Sequence, residues 1–233
     1  MDIFKTAAEG ETISNDEIAK LLGEALADWE SRKGAVKNAL IIPPDFTRFH
    51  SNAGFITQVF YRLLTAKGAA VDILPALGTH VPVSESQWKT MFGDIPYSKM
   101  LVHNWRTDVV KLGEVPAEEV KRLSDGLWTD PVAVEVNKLI MDEKYDLIVS
   151  PGQVVPHEVG PEPGSVQSPS ERRFTSSAGT SPSFTTSVRQ LWTSIFSYGM
   201  SPNIVFHCVS ETGTCVPSAG RTSTAAPFAV SSL

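Results

Sequence analysis

Residues 38–77 read NALIIPPDFTRFHSNAGFITQVFYRLLTAKGAAVDILPAL, and this stretch decides the fold. Asn38 to Ile42 is a short apolar run stopped by two prolines, the length and character of a buried strand. From about Ala53 to Lys67, the apolar residues Phe55, Ile56, Val59, Phe60, Leu63 and Leu64 recur at helical spacing. Gly68 then stands where a helix terminates. Ala70 to Leu77 is a second apolar strand. Strand, helix and strand in so short a span predict a right-handed βαβ unit with a parallel pair.

Working outward, Ser14 and Glu17 form the sequence of a capping box. Ile18, Leu21, Leu22, Ala25, Leu26 and Trp29 follow it at helical spacing, and Gly34 ends that run. On the other side, Ser84 caps a short helix reaching about Phe92. Lys99 to Val102 reads as a third strand and Asp146 to Val149 as a further one. Alternation around Val109 to Val115 suggests another strand, and Pro131 to Met141 reads as helical. The predicted class is α/β: an open, mainly parallel, Rossmann-like sheet with flanking helices.

Composition sets the outer bounds. The 233 residues carry 20 basic and 26 acidic side chains, a formal charge of −6, which argues against a nucleic-acid surface. No apolar run is long enough to span a membrane, and the N-terminus, MDIFKTAAEGETIS, has no secretory pattern. Two cysteines, Cys208 and Cys215, make no disulfide framework. The expectation is a soluble, cytoplasmic protein.

The chain changes character after Val159. Residues 1–159 hold 16 basic and 23 acidic side chains, whereas residues 160–233 hold 4 Arg and 3 Glu, no Lys or Asp, and 25 Ser plus Thr. The expected organisation is an α/β domain over 1–159 and a Ser/Thr/Pro-rich tail over 160–233. Such a tail is either disordered, because it cannot bury enough apolar surface, or an out-of-frame reading.

Four polar clusters follow the four predicted strands. They are Asp45, Thr47 and Arg48; Gly78, Thr79 and His80; His103, Asn104 and Arg106; and Ser150 through His157. In an open parallel sheet, ligands bind beyond the carboxyl ends of the strands, so all four belong on one rim. Taken singly, each has a plainer reading: Asp45 as an Asx-turn, Thr79 as a cap, a loop histidine as a solvated one. Together they bring three histidines and an arginine to one edge. That combination suits acid/base work on a small anion. Imidazoles also suit several transition metals, but the spacing selects none, and no metal ligand is assigned. Dinucleotide, Walker and nucleophile-elbow motifs are absent from the sequence.

In this order, PPDFTR (43–48), ALGTHVP (76–82), HNW (103–105) and SPGQVVPHEV (150–159) resemble the N-terminal domain of the nickel-dependent lactate racemase family. The resemblance implies racemisation or epimerisation of a small anionic 2-hydroxy acid. A nickel-pincer pyridinium mononucleotide takes the hydride, and paired histidines, matching His80 and His157, move the proton. Asp45 and Arg48 match the D-x-T-R pair, and Thr47, Gly78 and Thr79 lie with them in the substrate- or cofactor-binding stretches. It also implies a cofactor-tethering lysine about ten residues after PHEV, where this chain has Gln167, and a later nickel-ligand histidine. Here the next histidine is His207, much farther along, and residues 160–233 resemble nothing in the family's second domain. The expectation is therefore a racemase-type chain inactive as written. The alternative is a non-catalytic binding domain for a small anion, a hydroxy acid or phosphate.

Overall fold

In the computed structural model, the described residues are 3–6, 12–78, 80–123, 126–152, 205–210 and 227–232. Helix α1 spans Asn15–Lys33, strand β1 Asn38–Ile41, helix α2 Ala53–Ala66, strand β2 Ala70–Ile73 and helix α3 Glu85–Phe92. Strand β3 spans Leu147–Gly152. Strand β1 lies between β2 and β3 and is parallel to both, with Ile41 opposite both Ile73 and Val149. This is the α/β parallel sheet with flanking helices that the central stretch predicts.

The continuous apolar reading of NALII has a direct cause: both faces of β1 are covered. Ala39 and Ile41 face a core made with Ile18, Leu22 and Leu26 of α1, Ile56 and Phe60 of α2, and Trp88 and Phe92 of α3. Leu40 and Ile42 face a smaller cluster with Leu74, Tyr145 and Ile148. The Tyr145 hydroxyl donates to Asp72 Oδ2 at 2.8 Å. Burial, with Asp72 beside it, holds that phenol far above its ordinary pKa.

The caps are where the sequence places them. Ser14 Oγ accepts from Glu17 N at 3.2 Å, and Ser84 with Gln87 forms a reciprocal capping box. The carboxylate of Asp146 accepts from the backbone N–H of both Lys37 and Asn38, each at 2.8 Å, tying the start of β3 to the start of β1.

Two expectations need correction. Pro131 to Met141 is not helical: Val132–Asn137 is a strand that pairs antiparallel with Val109–Val115, and a 3-10 turn over Lys138–Met141 follows. Val134 and Val136 are buried while Ala133 is exposed, so a period of two governs the segment. Lys99 to Val102 is likewise not a full strand. Tyr97–Lys99 is a 3-10 turn, and only Met100 bridges Ile73 in parallel, with Leu101 N donating to Ile73 O at 2.7 Å. Proline before this turn and the tight Tyr97–Met100 hydrogen bond leave too little extended chain for a strand.

Within the tail, Val205–Ser210 runs parallel to β3, and Pro227–Ser232 pairs antiparallel with both Val205–Ser210 and Ile3–Thr6. Among the described residues no helix is long and apolar enough to cross a membrane.

Candidate functional site at the carboxyl edge of the sheet

Strands β1 and β2 continue to track one another past their ends. Ala76 N donates to Pro43 O at 2.7 Å, and Pro44 forms a parallel bridge with Ala76. The two loops therefore leave the sheet side by side, which is how residues 35 apart in sequence come to meet. After Pro44, Asp45 opens a 3-10 turn over Phe46–Ser51. Its Oδ1 accepts from Thr47 N at 3.0 Å and from Thr47 Oγ1 at 2.5 Å. This is the Asx-turn of the plainer reading, and it leaves Oδ2 unused.

The second loop takes up that oxygen. Gly78 has φ of +56°, a left-handed conformation that a side chain would strain, and His80 N donates back to Leu77 O at 2.9 Å. The turn carries His80 toward Asp45, and His80 Nδ1 lies 2.5 Å from Asp45 Oδ2. The Asp45 side chain is only 4% exposed, whereas that of His80 is 44% exposed. A buried carboxylate thus grips one nitrogen of an imidazole that reaches solvent.

The hydrogen-bond inventory fixes the roles. An ionised carboxylate only accepts, so Nδ1 of His80 carries the proton and Nε2 of the neutral ring keeps its lone pair. The ring is held in one tautomer and one orientation, with its basic nitrogen directed away from its anchor. Arg48 is half-buried, and among the described residues its guanidinium has neither an ion-pair nor a hydrogen-bond partner. A permanent cation with unsatisfied donors, three residues from a buried carboxylate, is a ready partner for an anion.

A family model described as the lactate racemase N-terminal domain matches residues 5–160. The chain belongs to that family. Among solved structures, a Thermotoga maritima protein is similar with a TM-score of 0.67 at 19% identity, over 96% of this chain and 56% of that one. The lactate racemase apoprotein from Thermoanaerobacterium thermosaccharolyticum is similar with a TM-score of 0.52 at 21% identity, over 85% of this chain and 49% of that one. At these identities the structural likeness speaks for the fold alone. The chain spans about half the length of these solved relatives. No curated protein matches the sequence.

Of the residues singled out beforehand, the structure joins Asp45, Thr47 and His80 directly and sets Arg48 and Gly78 in the same two loops. Thr47 spends its hydroxyl on Asp45. Thr79, His157 and Gln167 lie outside the described residues. A side chain the sequence reading does not single out is Asn137, whose Nδ2 lies 2.8 Å from Nδ1 of His103. Its only sequence signal is its place at the end of a strand before a 3-10 turn.

A nickel pincer group asks for a lysine tether and a further histidine donor. Among the described residues no group of three or more His, Cys, Asp or Glu could hold a metal ion, and position 167 is glutamine. Nδ1 of both His80 and His103 is engaged, by Asp45 and Asn137, which leaves Nε2 of each ring as the nitrogen facing outward to a ligand. A glutamine side chain cannot serve as that covalent tether, and what the described rim residues offer is a set of proton donors and acceptors.

Proposed function

We propose that this rim binds a small 2-hydroxy acid and handles its hydroxyl proton, the acid/base half of a lactate-racemase-type reaction. The single observation that carries the reading is the Asp45–His80 hydrogen bond, because it holds Nδ1 and so sets Nε2 of an exposed ring facing away from its anchor. Arg48 takes the carboxylate of the acid in a charge-assisted pair. Nε2 of His80 then accepts a hydrogen bond from the 2-hydroxyl; full transfer of that proton, with Asp45 stabilising the imidazolium, would require an acceptor to take the α-hydride in the same step. By family resemblance, His157 serves the opposite enantiomer.

Racemisation also needs a hydride acceptor held in near-attack geometry, a positioning effect worth roughly 7–11 kcal/mol. Gln167 cannot make the covalent link that a lysine amine makes, so the chain as written binds its acid without inverting it. The guanidinium of Arg48, unpartnered among the described residues, equally supports a second reading, a non-catalytic binding domain for a small anion, hydroxy acid or phosphate. Two assays test these readings, and the second separates them. Chiral chromatography of L-lactate incubated with protein, nickel and the pincer nucleotide is expected to show no D-lactate. Calorimetry is expected to show lactate binding that weakens in both Arg48→Ala and His80→Ala. Binding of lactate, propionate and phosphate with equal affinity, unaffected by His80→Ala, favours the second reading. Turnover lost on His80→Ala would show that the tether is dispensable.

A further inference from the structure

The rim has a third histidine to which the proposed proton transfer gives no part. Met100 bridges Ile73, so the chain at residues 100–101 extends the sheet by one position beyond β2. His103 leaves that position at the same carboxyl edge from which Asp45 follows β1 and His80 follows β2. Its ring is half-buried, and its surroundings fix its proton differently from that of His80.

Asn137 is 5% exposed, and its Oδ1 accepts from Leu139 N at 2.9 Å as the cap of the 3-10 turn. With the oxygen committed there, the amide nitrogen is the atom 2.8 Å from Nδ1 of His103. An amide nitrogen only donates, so Nδ1 accepts and the ring proton sits on Nε2. The carboxylate that could draw His103 into its cationic form is Asp108, and it is paired with Lys138 Nζ at 2.9 Å. Burial holds the His103 imidazole below its ordinary pKa, with Asp108 only partly opposing the shift. Among the described residues no group accepts from Nε2 of His103. In their neutral forms the two imidazoles that follow this edge are therefore opposite tautomers, His80 offering a lone pair and His103 an N–H.

We propose that His103 is a substrate-binding residue of this site, its Nε2–H donating to a carboxylate oxygen of the bound 2-hydroxy acid, with Asn137 as the positioning residue that holds the donor tautomer. The inference rests on the proposed function, since it needs an acid at the Asp45–His80 edge. A neutral donor suits this place. It adds a hydrogen bond to the anion without a second cation that would repel Arg48, and it cannot compete with His80 for the hydroxyl proton.

The test uses the full chain with ring-15N-labelled histidine and lactate as the probe. Free protein above the imidazole titration range is expected to show His103 as the Nε2–H form and His80 as the Nδ1–H form. Lactate is expected to shift the His103 Nε2 resonance and that of His80 with one common Kd. Asn137→Asp keeps an acceptor for Leu139 N and is expected to move the His103 proton to Nδ1. His103→Phe is expected to weaken lactate binding about 10-fold, whereas His103→Gln, which keeps an N–H near the position of Nε2, stays within about 3-fold. A His80 shift with no His103 response, or equal affinity in the Phe variant, overturns the role of His103 and leaves the proposed function standing. Silence of both histidines overturns both.

Discussion

Replacing Asp45 by asparagine changes one atom and reverses the sense of the site. The carboxylate makes three hydrogen bonds: two from Thr47 to Oδ1, and one from His80 to Oδ2. The asparagine oxygen must stay with Thr47, because turning the amide around would set its NH2 against the Thr47 N–H. Its nitrogen then faces His80, which has to accept at Nδ1 and carry its proton on Nε2. One charge-assisted bond, worth about 1.5–3 kcal/mol, becomes a neutral one worth about 0.5–1.5, a net loss of about 1–2 kcal/mol. For a chain of this size that lowers Tm by about 2–8 °C. Two measurements on the same sample check it. Thermal unfolding gives the stability, and the ring 15N shifts of His80, recorded well above the ordinary imidazole pKa of about 6.5, give the tautomer. Lactate binding should fall with the loss of the Nε2 lone pair. A variant with the expected loss of stability whose His80 still carries its proton on Nδ1 would refute the assignment of Asp45 as the anchor of that ring.

Other perturbations probe the scaffold behind the site. Gly54→Ala places a Cβ 2.3 Å from the backbone oxygen of Met91, so α2 and α3 must separate. The expected cost is about 3 kcal/mol in urea denaturation, at the upper end of overpacking effects. Asp146→Ala leaves the N–H groups of Lys37 and Asn38 without their carboxylate and should cost about 1.5–3 kcal/mol, with Asp146→Asn milder because it keeps an acceptor. His103 gives the stability a pH dependence of known sign. Its folded pKa lies below the unfolded one, so above about pH 6.5 it imposes no penalty. As pH falls below that value the unfolded chain takes up the proton first, and stability declines until the lowered folded pKa is reached. Urea midpoints at the two ends of that window should differ less in His103→Gln than in the parent chain.

What the sequence revealed and what it hid divide along a physical line. The β1–α2–β2 unit is legible because its signal is local: Leu40 and Ile41 sit in an unbroken apolar run, and Ile56, Val59 and Phe60 repeat at helical spacing. Val132 to Asn137 is not legible as a strand because a strand's identity depends on its partner, here Val109–Val115, and because the following Leu139 and Ile140 lend the segment a helical spacing. Asp45, Arg48 and His80 could be picked out as rim residues from their places after strands. That Asp45 grips His80 could not, since their meeting depends on the bridge between Pro44 and Ala76. Asn137 was out of reach for the same reason, 34 positions from the ring it orients.

The proposed function of this edge depends on Nε2 of His80 accepting from the hydroxyl of a 2-hydroxy acid held there. The most direct measurement is a titration of ring-15N-labelled protein with L-lactate and, in parallel, with propionate, which has the carboxylate but no 2-hydroxyl. The prediction is a saturable shift of His80 Nε2 with lactate, lost in Arg48→Ala, and little response of that nitrogen to propionate. An Nε2 resonance that responds equally to both acids, or to neither, would contradict it.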